Sequence, residues 1–185
     1  MRRPSFSAVA ALVFATSLSL GCRSAGPYGH ASLYAPLEGE ARATAGVTEY
    51  DPVMVQRFPE QWRAKPVSLF AVVTNRGTGP GGAPYLALSL RVLEPRNKCA
   101  GGEEESCRVT VSDREHGKLH ALVRLSADDD IGEKSVNTGS LVRIVGKIGE
   151  EPDPADGTPI VSATFVRHWP RGSYVTSRAA AHMLR

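Results

Sequence analysis

From Tyr85 to Leu93 the chain alternates strictly: Leu86, Leu88, Leu90 and Val92 fall on one side, Ala87, Ser89 and Arg91 on the other. A period of two is the mark of a half-buried strand. The same period recurs over Lys118–Leu125, where Leu119, Ala121, Val123 and Leu125 point inward and Lys118, His120, Leu122 and Arg124 outward. Arg108–Asp113 places Val109 and Val111 inward, and Val67–Thr74 is apolar on both faces, as in a central or barrel strand. The stretch Gly139–Trp169 predicts a long hairpin. Val142, Ile144, Gly146 and Ile148 form one face, a Pro- and acid-rich break spans Glu150–Pro159, and Ile160–Val166 resumes with β-branched and aromatic residues. Between the strands, Asp128–Val136 is the helix candidate, short because of Gly132, with three leading acids that suit a helix start.

The flanks read differently. Residues 22–47 are rich in Ala and Gly without a sustained period and predict a flexible tether. In the lead-in 48–66, Tyr50, Val53, Val55, Phe58 and Trp62 are punctuated by prolines, predicting a strand and one helical turn whose apolar residues plug an end of the core. Residues 170–185 predict a turn and then a helix capped by Thr176 or Ser177.

Composition narrows the function classes. Hydrophobic residues make up 42% and charged residues 22% of 185, enough for one packed domain with extensions. The net charge is +3, and residues 1–21 take Arg2 and Arg3 but no acid, so a basic surface belongs to one face at most. Aromatics, at 6%, are thin for a base-stacking protein. No HExxH, GxSxG, P-loop or GxGxxG occurs, and the five histidines form no ligand spacing, so the chain reads as non-catalytic with no cofactor and no metal. The acid triplets Glu103–Glu105 and Asp128–Asp130 lack a calcium loop's ligand order. Cys99 and Cys107 bracket a seven-residue acidic loop between two strands and are expected to pair as a disulfide, being two ligands short of a zinc set.

Arg2 and Arg3, the uncharged run Ser5–Leu20 and the pair Gly21-Cys22 together resemble a bacterial lipoprotein signal, with Ser19 where that family usually has Leu. The resemblance covers residues 1–22. It implies removal of residues 1–21, lipidation of Cys22, a membrane partner through that anchor and, with Arg23 in place of Asp, the outer membrane of the cell envelope. The strand and helix order over residues 67–169 resembles the OB-fold. The expected fold is all-β: a small OB-like Greek-key barrel of five to six strands with one short helix, a disordered N-terminal tether and a short C-terminal helix; a β-sandwich is the rival. In barrel pairing, Arg91, Lys118, His120, Arg124, Arg143 and Lys147 could share one outer surface as a ligand-binding face. A second cluster, Arg167 to Arg171 with Tyr174, mixes cations and aromatics as single-strand binders do.

The main functional expectation is a non-catalytic, lipid-anchored envelope protein whose β-domain binds an envelope protein, glycan or anionic polymer. The alternatives are an oligonucleotide-binding module at the cell surface and an envelope enzyme.

Overall fold

A computed structural model describes residues 34, 36–63, 65–94, 98–99 and 107–178. The elements in chain order are α1 (Glu38–Thr44), β1 (Thr48–Glu49), α2 (Pro52–Arg57), α3 (Pro59–Arg63), β2 (Pro66–Thr78), β3 (Pro84–Arg91), β4 (Lys98–Cys99), β5 (Cys107–Val111), β6 (Lys118–Leu122), α4 (Ala127–Asp130), β7 (Leu141–Ile148), β8 (Ile160–Trp169) and β9 (Tyr174–Thr176). A single 3₁₀ turn, Pro80–Gly82, joins β2 to β3.

Five strands close on themselves. β2 pairs antiparallel with β3 and β3 antiparallel with β6. β6 pairs parallel with β8, β8 antiparallel with β7, and β7 antiparallel with β2. The helical turn α4 lies between β6 and β7. One parallel seam, four antiparallel ones and a helix before the fourth strand make the OB topology. The barrel is an OB fold.

The alternation seen in the sequence fills it. Val67, Leu69, Ala71 and Val73 of β2, Leu86, Leu88 and Leu90 of β3, Leu119 and Ala121 of β6, and Val142, Ile144 and Ile148 of β7 form one buried cluster. Tyr50, Val55 and Trp62 join it from the lead-in, as expected, whereas Val53 and Phe58 stay exposed. β2 departs from simple alternation at a bulge. Val73 faces Leu88 and Asn75 faces Ala87, so Thr74 is extra, and its hydroxyl donates to the Ala87 carbonyl at 3.1 Å. β8 does the same at Thr164, whose hydroxyl donates to Val145 O at 3.2 Å. Each bulge inserts one residue and bends the strand toward closure.

The strand that exceeds the OB count is β5. It belongs to a separate small sheet, β4–β5–β9, with β9 parallel to β5. Val109 and Val111 pack on the outer side of the barrel against Phe70, Leu141 and Trp169. Both faces of β2 are therefore covered near Phe70, which explains its continuous apolar run.

Two expectations about the flanks are corrected. Glu38–Thr44 is helical and Glu40 is fully buried, so this part of the expected tether is packed on the barrel. The chain turns at Arg171-Gly172, but Tyr174–Thr176 then forms a strand; Ser177 and Arg178 are helical, and the remainder of the expected C-terminal helix, like the signal-like run and Cys22, lies outside the described residues.

The two cysteines, expected at or just beyond the ends of the strands Tyr85–Leu93 and Arg108–Asp113, stand directly opposite each other, Cys99 in β4 and Cys107 at the start of β5. Opposed α-carbons in an antiparallel pair are about 4.5–5.5 Å apart, within disulfide range. The bond itself belongs to side chains outside the described residues. On this register the two thiols are expected to resist alkylation until reduced; both reacting freely in the native protein counts against pairing.

Candidate nucleic-acid interface

The outer positions of β3, β6 and β8 form the face that the small sheet leaves open. Tyr85 of β3 stands beside Leu122 of β6, which stands beside Ser162 of β8. One step along, Ala87, His120 and Ile160 make the next row. The imidazole of His120 stacks on Tyr85, with ring centres 5.0 Å apart and planes 7° from parallel.

The loop between β7 and β8 folds over this pair. Tyr85 donates its hydroxyl to Asp153, and His120 Nε2 lies 3.0 Å from Asp156 Oδ2. Both carboxylates are also fixed from within the loop, Asp153 by the Ala155 amide at 2.7 Å and Asp156 by the Thr158 amide at 2.8 Å. The hydrogen bond from His120, then that from Thr158, holds the Asp156 carboxyl down to about 2. The hydrogen bond from Tyr85 likewise lowers Asp153, while burial and the Asp153 carboxylate push the Tyr85 phenol up. His120, Asp153 and Asp156 bring ligand atoms within 4.8 Å of one another and are the described residues best placed for a cation. His120 Nδ1, however, is buried without a partner, and a metal-bound imidazole normally donates its second nitrogen to an acceptor. The group thus fits an anchor for the loop better than a metal centre.

Beside the anchor runs an open groove of about 570 Å³, between the Pro80–Gly82 turn and β8. Leu122, Phe165 and Val166 line it with Arg124, Ser162 and Thr164. Phe165 is half-buried, whereas Arg124, Ser162 and Thr164 are exposed. The groove combines a ring face, two hydroxyls and a guanidinium.

The six residues expected to share one surface do not. Arg91, Lys118 and Arg124 line three separate depressions. His120 is tied under the acidic loop. Arg143 and Lys147 lie on β7, which does not pair with β3 or β6. The sequence established which residues point outward; closure of the sheet then distributed them around a cylinder.

Closure also creates a second constellation. Arg91 of β3 faces Phe70 of β2, Phe70 faces Arg143 of β7, and Arg143 faces Arg167 of β8. This is one transverse row across four strands. The Arg143 guanidinium lies 4.9 Å from the Phe70 ring centre, and that of Arg167 lies 4.5 Å from Trp169. Both arginines converge on Glu40 of α1: Arg143 Nη1 donates to Oε1 at 2.6 Å and Arg167 Nη1 to Oε2. Tyr34 donates its hydroxyl to the same carboxylate, and the Leu37 amide donates at 3.1 Å. Burial alone would raise the Glu40 carboxyl, but the hydrogen bonds from Tyr34, Arg143 and Arg167 outweigh it and hold it below the ordinary glutamate range. The cation and aromatic cluster anticipated around Arg167 and Trp169 is thus real but covered. Glu40, Tyr34 and Phe165 were not anticipated.

No protein-family model matches the sequence, and no curated protein matches it. Solved structures do. PriB of Ralstonia solanacearum is 17% identical over 56% of this chain and 97% of its own, with a TM-score of 0.29. The N-terminal domain of PriB from Thermoanaerobacter tencongensis is 15% identical over 57% and 97%, with a TM-score of 0.31. The mitochondrial single-stranded DNA-binding protein Rim1 of S. cerevisiae is 12% identical over 58% and 97%, with a TM-score of 0.28.

Two expectations are corrected at this point. The main reading, a lipid-anchored protein that binds another envelope component, is set aside, and the oligonucleotide alternative is taken up below; the similar structures, PriB and single-stranded DNA-binding proteins, are alike in fold. The expected location, exported and held in the outer membrane, is set aside with it: residues 1–22, which alone carried it, lie outside the described residues.

Proposed function

We propose that this chain is a non-catalytic OB-fold module that binds single-stranded oligonucleotides in the groove beside the Pro80–Gly82 turn. One observation carries the reading: the half-buried Phe165 ring and the exposed Arg124 guanidinium line the same open groove. A ring on which a base stacks and a cation beside it for the phosphate are what sequence-tolerant single-strand binding requires. The groove lies on the barrel face formed around the middle strands, where OB folds take oligonucleotides. Further along that face, Asp153 and Asp156 repel phosphates, which keeps the strand at the turn end and limits the number of phosphates engaged.

Fluorescence anisotropy of the full-length chain with a labelled oligothymidylate tests this. Base–aromatic stacking is worth about 1–3 kcal/mol per base, so Phe165→Ala is expected to weaken binding by about 5- to 150-fold. Arg124→Ala is expected to flatten the dependence of log affinity on log salt by about 0.7, the share of one phosphate on a single strand. Absence of salt-sensitive binding, or equal binding by both variants, removes the proposal.

A further inference from the structure

We infer that Glu40 is a built-in substitute for a phosphate, and that α1 covers a second subsite for the same single strand. The pocket that holds its carboxylate is an oxyanion receptor. Two guanidiniums, a phenol and a backbone amide converge on two oxygens, at 2.6 Å from Arg143 and 3.1 Å from Leu37. Arginine forks suit phosphate as well as carboxylate. Directly beneath lie Phe70 and Trp169, each under one of these guanidiniums, with Tyr34 set edge-on to Phe70 at 5.7 Å. Val109 and Val111 cover both rings from the small sheet, so lifting α1 and Tyr34 frees chiefly the two guanidiniums, held in place over the rings, for a phosphate.

The cover is built to leave. α1 is seven residues long, too short to persist as a helix alone, and Glu40 is its one buried residue. Gly46, at φ +70°, supplies a turn directly after it. The carboxylate therefore competes with a phosphate from within the molecule, at the high effective concentration of a short linker. The ligand class in this inference rests on the single-strand reading above; the receptor geometry does not.

The experiment measures full-length chain binding a fluorescent fifteen-residue oligothymidylate at low salt. Glu40→Gln, which keeps shape but drops the competing charge, is expected to bind at least about tenfold more tightly. Adding Arg143→Ala and Arg167→Ala to Glu40→Gln is expected to abolish that gain. Should Glu40→Gln not fold, the double change Ala41→Gly with Ala43→Gly loosens α1 while leaving the buried charges intact, and a gain of about threefold or more is expected. In wild-type protein the oligonucleotide is expected to speed amide hydrogen exchange at Ala41–Thr44. Variants that fold and bind as wild type, with exchange in α1 unchanged, overturn the inference. If Phe165→Ala weakens binding while loosening α1 adds nothing, the groove stands and the covered subsite falls. If Phe165→Ala is silent and Glu40→Gln still gains, the reverse holds.

Discussion

Gly146→Val is expected to lower the thermal midpoint by at least about 6–12 °C, or to prevent the barrel from forming. A Cβ at Gly146 would lie 2.3 Å from the Ser162 carbonyl oxygen and 2.8 Å from Val161 Cγ1. The nearer atom is backbone in a strand paired on both sides, so it cannot swing aside. Overpacking in a core costs about 1–3 kcal/mol, and a backbone clash takes this site to the top of that range or beyond. For a chain of this size each kcal/mol moves the midpoint by about 2–4 °C. Gly77→Ala is the control. Nothing lies within 4 Å of its Cβ position and its φ is ordinary, so thermal melting is expected to be nearly unchanged. A Gly146→Val protein that melts like wild type would mean that β7 and β8 lie further apart than described.

The second large effect concerns Glu40. Removing one partner from a buried, hydrogen-bonded charge cluster leaves the others uncompensated, and Glu40→Ala is expected to cost about 3–5 kcal/mol. The same cluster makes stability depend on pH. The folded-state carboxyl is held below its unfolded value, so its contribution is fully present above the ordinary glutamate value of about 4.3. It is lost as pH falls from there through the folded value, because the unfolded chain takes up the proton first. Urea midpoints measured from pH 7 downward should therefore fall more steeply for wild type than for Glu40→Gln. Parallel curves would show that Glu40 is not ionised within this cluster.

The strands were legible wherever one residue in two met the core. Leu86 to Leu90 and Leu119 to Val123 alternate because β3 and β6 are open on one side, and the sequence shows it. Val67–Val73 hid its direction because Phe70 and Val72 are covered by Val109 and Val111 from the small sheet. No local pattern reveals a second layer. The bulges at Thr74 and Thr164 were equally silent, since an extra residue in a ladder depends on the partner strand.

The site was less legible than the fold. Arg124 and Arg143 could be assigned to outer faces, but whether two outer faces coincide is decided by barrel closure. Glu40 sits in Gly-Glu-Ala-Arg, a stretch with nothing to mark a buried acid. Its two arginine partners are more than one hundred positions away. Phe165 read as an ordinary strand aromatic; the bulge beside it and the turn at Pro80–Gly82 place it in the groove.

β2 is the first barrel strand made and the one that waits longest for its second neighbour. During synthesis its one edge can pair with β3 at once, but residues 66–72 have no partner on the other edge until residues 141–147 emerge. Contacts so distant in sequence slow the search for the native state. Through that interval an apolar strand with an open edge is exposed to other chains, the condition that favours aggregation. Yield from slow synthesis or dilute refolding should then exceed yield from rapid, concentrated expression, a manufacturing property written into the order of the strands rather than into any one residue.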